Sequence, residues 1–199
     1  MNAAAETTLS LQKEWWLRTF GIFHRPRMVF AALGDDSAEA VEARQEPLLA
    51  TITLAGVAAI LSTSLAGRVL DDPVFSNSVL AVLSWAFVGG IVYGTVVYWF
   101  GGLLVHAISS LMRTGATYRQ ARHVLGFASA PLALSLLLVW PLRLAIYGDD
   151  VFRSGGSDTG AGDVLFDLLI LASYVWTFGL VAFGLLELRK RPSSSSGIS

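Results

Sequence analysis

PVFSNSVLAVLSWAFVGGIVYGTVVYWFGGLLVHAISSLM, residues 73–112, runs for 40 residues without a single Asp, Glu, Lys or Arg. As a helix rising 1.5 Å per residue it would reach about 60 Å, twice the hydrocarbon thickness of a bilayer. A mid-bilayer charge costs at least about 2.5–3.5 kcal/mol, so charge-free stretches of this length mark lipid-spanning helices. Two full spans would leave no room for a turn. The run is therefore read as one span from about Val79 to Phe100, continued as a stem through Gly101-Gly102 to Met112, with a re-entrant turn at the glycine pair as the alternative.

Outward from this run, three more pass the same test. Residues 47–67 hold 21 charge-free positions, 124–142 hold 19, and 168–186 hold 19. The composition agrees: 54% of the 199 residues are hydrophobic and 15% charged, and the mean hydropathy is +0.59. The fold class expected is all-α, a polytopic transmembrane helical bundle with four spans, or five if the long run folds as two segments. Its parts are a segment 1–47, a bundle 48–189 with spans near 48–67, 79–112, 123–147 and 164–188, and a Ser-rich tail 190–199 expected to be disordered. Pro47 suits the first position of span one, where a missing N–H costs nothing.

Charge bias orients the bundle. With both termini cytoplasmic, the inner segments hold Lys13, Arg18, Arg25, Arg27, Arg44, Arg113, Arg119, Arg122, Arg189, Lys190 and Arg191, and the outer loops only Arg68 and Arg153. The expected home is a cell membrane, the bacterial inner membrane in particular. Residues 1–14 lack an apolar signal region, so the first span is expected to act as the insertion signal. A net charge of −1 gives no basic excess for nucleic acid, and the absence of cysteine excludes disulfides and thiolate chemistry.

Residues 9–33 are too charged to span but rich in aromatics. Leu11, Trp15, Ile22 and Val29 recur at helical spacing beside basic groups, and Trp15 and Trp16 are expected as interfacial anchors of a helix lying in the membrane plane. The plainer alternative is a helical hairpin capping the bundle. Asp35 to Glu46 reads as a solvated acidic linker or short helix. Trp85, Trp140 and Tyr147 fall near the outer boundary of their spans.

No phosphate-binding loop, His-Glu-x-x-His or Gly-x-Ser-x-Gly is present, so no catalysis, metal or cofactor is expected. Three residues are candidate intramembrane polar groups. His106 is either a hydrogen-bonded structural histidine or a proton- or ligand-handling one. Arg143 and Asp167 fall at similar depth on spans three and four and either pair or snorkel independently. Gly90 and Gly94, like Gly126 with Ala130 and Ala55 with Ala59, make small-residue steps for close helix packing. Pro131 is expected to kink span three. The same kink, with His106 and the glycine face of span two, is the basis of an alternative function, a small-solute or ion permease component.

Three stretches carry a family resemblance: FGIFHRPRMVFAAL at Phe20–Leu33, TYRQARHVLGFASAPLAL at Thr117–Leu134, and YVWTFGLVAFGL at Tyr174–Leu185. In order and character they resemble the Yip family of membrane proteins, named for interaction with Ypt/Rab GTPases, and its bacterial branch in particular. The resemblance implies a bundle usually described with five spans, a cytoplasmic amino terminus, no catalytic residues, and a non-enzymatic scaffold, adaptor or membrane-organising role. Its partners would be the bilayer together with other proteins or further copies of itself. The chain departs from the eukaryotic pattern in its span count and in lacking an acidic motif before the first span, which puts GTPase binding in doubt.

Overall fold

The computed structural model describes residues 3–73, 79–158 and 160–190, and all its regular structure is helical. Helix α1 covers Ala3–Gly21 and, after a short turn, α2 covers Pro26–Ala32, opened by Pro26 at its first turn. Helix α3 spans Ala38–Leu61. A 3-10 turn, Ala66–Asp71, precedes α4, Val79–Val96. Helix α5, Gly102–Leu111, follows α4 through a π turn at Val97–Gly101, so that Val79–Leu111 is one run of 33 helical residues. Helix α6 is Tyr118–Ala128 and α7 is Ala130–Tyr147; a second 3-10 turn, Gly148–Phe152, leads towards α8, Ala161–Arg189.

Three of these helical runs are long and apolar enough to cross a bilayer: Val79–Leu111, Tyr118–Phe152 and Ala161–Arg189. Their surfaces are apolar as well. Phe87, Val88, Val92 and Phe100 on the first, and Leu165, Leu171, Val175 and Phe178 on the last, are each more than half exposed. A monomer in water rarely shows contiguous apolar surface on this scale, whereas lipid covers it without cost.

The first apolar run departs from expectation at both ends. Its helix begins at Ala38, so the acidic stretch is helical, with Glu39, Glu42 and Glu46 on its exposed face and Ala43, Arg44, Pro47 and Leu48 on its buried one. Pro47 thus sits inside α3; it deletes one helical hydrogen bond, and the burial of its face outweighs that loss. The helix stops at Leu61, short of residue 67. There the Ser62 hydroxyl donates to the Ala58 carbonyl and the Thr63 hydroxyl to the Ile60 carbonyl, both at 2.7 Å, drawing the backbone out of the helix.

The glycine pair Gly101-Gly102 makes no re-entrant turn; the long run stays helical through it. Pro131 acts slightly upstream of itself. The helix breaks at Ser129, and Pro131 takes a place in the first turn of α7, where its missing N–H is tolerated. The Ser-rich tail from residue 191 on lies outside the described residues.

The chain divides into two compact units. The first comprises the described residues of 1–50, 97–128 and 178–199, the second those of 51–96 and 129–177. In the first, Trp15 stacks on Phe127 with ring centroids 5.5 Å apart, Phe30 meets Phe183, and Ala121 packs with Val105 and Leu185. In the second, Val57 and Leu61 of α3 join Val82 and Ala86 of α4, Trp140 of α7, Phe152 and Ile170 of α8. There α3 and α4 approach backbone to backbone. A Cβ on Gly90 would lie 2.5 Å from the Val57 Cα, and one on Gly94 would lie 2.6 Å from the Ile52 carbonyl.

The two 3-10 turns of the second unit are tied by Asp71, whose carboxylate accepts the Ser154 N–H at 3.0 and 3.2 Å. Those bonds favour the ionised form and hold the Asp71 pKa below the ordinary aspartate value. Because the folded-state value is depressed, this tie is intact above the ordinary range and lost as pH falls through the depressed value. The Ser154 amide resonance is expected to titrate with a midpoint below the ordinary aspartate range, and Asp71→Asn to abolish that titration.

Candidate functional site

The densest polar cluster of the second unit forms where α3 ends, α7 approaches its end and α8 begins. Arg143 sits in the last turns of α7, and Asp163 and Asp167 lie in the first two turns of α8. Four residues apart, the two carboxylates share one helix face. Arg143 is only 9% exposed. Its Nη1 donates to Asp167 Oδ1 at 3.1 Å, its Nη2 donates to Asp163 Oδ1, and Asp158 Oδ2 stands 3.7 Å from Nη2. Three carboxylates therefore surround one guanidinium. Partial burial and the neighbouring Asp163 raise the Asp158 pKa, with Arg143 opposing.

A cavity of about 290 Å³ opens beside this cluster, lined among others by Ser62, Thr63, Trp140, Arg143, Asp158 and Asp167. Trp140 is 3% exposed, and neither its indole N–H nor the Nε–H of Arg143 has an acceptor among the described residues. Buried donors nearly always find partners, so two unmatched donors on neighbouring side chains are unusual.

The first unit holds a different constellation. Arg122 of α6 lies with its guanidinium carbon 3.9 Å from the ring centre of Trp99, 5.1 Å from that of Tyr98 and 5.4 Å from that of Tyr118. The Tyr118 hydroxyl donates to the Trp99 carbonyl at 2.8 Å, fastening α6 to the π turn, a feature often found at functional positions. Arg44 of α3 is fully buried. Its Nη1 donates to the Asp35 carbonyl at 2.7 Å and its Nη2 to Asp36 at 3.1 Å, and Arg119 approaches the same carboxylate at 3.6 Å. Arg27 of α2 pairs with Glu187 of α8 at 3.2 Å.

Set against these clusters, the residues singled out from sequence fall as follows. Arg143 and Asp167 meet, and the structure adds Asp158 and Asp163; the four-residue step from Asp163 to Asp167 was the available signal. His106 is half-buried and edge-on to Tyr118 at 6.0 Å, and its Nδ1 has no hydrogen-bond partner among the described residues. Gly90 and Gly94 face α3, whose backbone fills the groove, so this glycine face lines no path through the unit. Gly126 is buried in α6.

One expectation for tryptophan is corrected. Trp15 is 3% exposed and stacked in the core of the first unit, so it is a packing residue; Trp16 is half-buried. The stripe Trp15, Ile22, Val29 is apolar as read, but protein covers it. The exposed apolar side chains of this region are Leu17, Phe20 and Met28. Trp140 packs in the core of the second unit.

Among the described residues the architecture is all-helical, with three helical runs long and apolar enough to cross a membrane and an amino-terminal helical hairpin. The model of the Yip1 domain matches the chain over residues 20–198. The chain belongs to the Yip1 domain family. Comparison with curated proteins and with solved structures gave no match. As a Yip1 domain, it is a membrane protein whose three family-like stretches occupy defined places. Phe20–Leu33 supplies the hairpin turn and α2, Thr117–Leu134 supplies α6 and the break before α7, and Tyr174–Leu185 lies within α8.

Proposed function

We propose that this Yip1 domain protein is a non-enzymatic scaffold or adaptor of a cell membrane, of the bacterial type. It spans the bilayer four times, with both termini in the basic-rich cytoplasmic compartment, and its amino-terminal hairpin serves as the association surface. The observation that carries the reading is on that hairpin. Leu17, Phe20 and Met28 are 64%, 66% and 63% exposed, beside Arg18, Arg25 and Arg27, while the opposite stripe is packed into the first unit. Exposed apolar groups interleaved with arginines suit a surface that rests on anionic headgroups and presents itself to a second copy. The fourth span is α3, whose 24 residues give about 36 Å of helix, enough to cross although only its carboxy-terminal part is free of charge.

Single cysteines in the cysteine-free chain test the topology. Ser157→Cys is expected to react with an impermeant reagent from outside intact cells. Ser10→Cys, Thr117→Cys and Lys190→Cys are expected to react only after permeabilisation. Reaction of Ser10→Cys and Lys190→Cys from opposite sides would exclude four spans. For the association surface, the triple variant Leu17→Gln, Phe20→Gln, Met28→Gln is expected to insert at the normal level while in-membrane cross-linking between copies drops several-fold. Unchanged cross-linking would remove the hairpin from the reading.

A further inference from the structure

The exposed side of the α1–α2 hairpin is held beside the last charge-free turn of α8. We propose that this side docks onto anionic phospholipid of the cytoplasmic leaflet, with Lys13 and Arg25 as the free cations that read the lipid charge. The inference rests on the reading of the hairpin as the association surface and names what that surface meets first.

Contacts within the first unit set the depth. The charge-free run of α8 ends at Leu186, and Glu187 is the first charged residue after it. Arg27 of α2 pairs with Glu187 at 3.2 Å, and Phe30 meets Phe183 one turn earlier, with ring centroids 6.3 Å apart. α2 comes this close because residue 184 is glycine; a Cβ there would fall 3.1 Å from the Phe30 ring. The helix α2 therefore lies where α8 passes from hydrocarbon to headgroups. The Arg25 N–H donates to the Gly21 carbonyl at 2.7 Å, which keeps the end of α1 beside it. Leu17, Phe20 and Met28 point away from the protein at this level, as a helix resting in the interface requires.

Charge selects the occupant. Residues 10–34 carry the cations Lys13, Arg18, Arg25 and Arg27 against the single acid Glu14. Arg18 pairs with Glu14 and Arg27 with Glu187, whereas Lys13 and Arg25 are exposed and have no ion-pair partner among the described residues. Lys13, Leu17 and Phe20 follow at steps of four and three, so one face of α1 sets a free cation beside two bare apolar groups. Arg25 and Met28 repeat the combination at the start of α2. A neutral leaflet covers the apolar groups but brings the cations no net counter-charge. A second copy laid face to face on the hairpin sets like charges against one another. An anionic leaflet satisfies both kinds of group, and each basic residue near it strengthens docking about fivefold, hence about twenty-fivefold for Lys13 and Arg25 together.

The test uses the full chain in nanodiscs holding one copy each. A nitroxide on Phe20→Cys, in the otherwise cysteine-free chain, reports its exposure through collision with a water-soluble nickel chelate. In discs of phosphatidylcholine with one-third phosphatidylglycerol, collision is expected to be several-fold lower than in phosphatidylcholine alone. Salt that shortens the Debye length to about 3 Å is expected to remove most of this difference. The double variant Lys13→Gln, Arg25→Gln is expected to remove it as well, while a nitroxide on Ser157→Cys reads the same with and without the two substitutions, because the fold is kept.

Equal collision in the two lipid compositions overturns the proposal. So does a difference that the double variant retains. Shielding of the nitroxide that arises only when a disc holds two copies assigns the face to a second copy and overturns it too. Association between copies is read separately, by the cross-linking of the triple glutamine variant. If cross-linking is unchanged there while shielding in single-copy discs still follows lipid charge, the association reading fails and lipid docking stands.

Discussion

Alanine at Gly90 is expected to destabilise the protein by about 3 kcal/mol, towards the top of the range for overpacked cores, while alanine at the adjacent Gly89 leaves stability unchanged or raises it. The two substitutions add the same methyl group to the same helix. At Gly90 that methyl would lie 2.5 Å from the Val57 Cα and 2.6 Å from the Val57 backbone nitrogen, so α3 and α4 must separate. At Gly89 its nearest neighbour is an Ile60 side-chain carbon at 4.0 Å, an ordinary contact. There the better helix propensity of alanine, about 1 kcal/mol over glycine, acts without opposition. Gly94→Ala should behave like Gly90→Ala, because its Cβ meets the Ile52 carbonyl at 2.6 Å. Denaturation in mixed micelles with increasing dodecyl sulfate measures the difference, and equal midpoints for Gly89→Ala and Gly90→Ala would show that the helices do not approach there.

The second large effect is expected at Arg44. Replacing it with leucine leaves Asp36 with only the more distant Arg119 at 3.6 Å and leaves the Asp35 carbonyl without its 2.7 Å donor. Breaking a buried ion pair by removing one partner costs about 3–5 kcal/mol. Because Asp36 stays partly exposed and keeps Arg119, a loss of about 3 kcal/mol is expected. Asp36 and the Asp35 carbonyl hold the buried guanidinium in place. The double variant Arg44→Leu, Asp36→Leu is accordingly expected to recover more than half of the loss, since no unpaired charge is left behind. A double-mutant cycle in the same micelle assay measures the coupling, and additivity of the two single losses would show that the pair does not interact.

Much of this architecture was written in the chain. Freedom from charge over 73–112 forces a helix there, because only a helix satisfies its own backbone in lipid, and the structure keeps Val79–Leu111 helical throughout. The register of Leu11, Trp15, Ile22 and Val29 likewise marks one apolar face, and the similar depth of Arg143 and Asp167 on their helices is legible, although whether they pair or snorkel apart is not. Each is a local property, set by periodicity or by distance along a helix.

What covers a face, and how many groups share a site, is not local. The stripe through Trp15 fits a bilayer surface and a protein core equally well, and only the arrival of Phe127 decides between them. Pro47 reads as a helix start by its chemistry, yet α3 runs through it, with Ala43 and Arg44 before it and Leu48 and Ile52 after it all buried. Asp158 joins Arg143 from a loop whose course no helical spacing predicts, and the cavity exists only because the ends of α3 and α7 and the start of α8 enclose it. Periodicity determined which residues turn away from water; the tertiary packing alone determined whether lipid, protein or an empty volume meets them, because that depends on segments brought together from opposite ends of the chain.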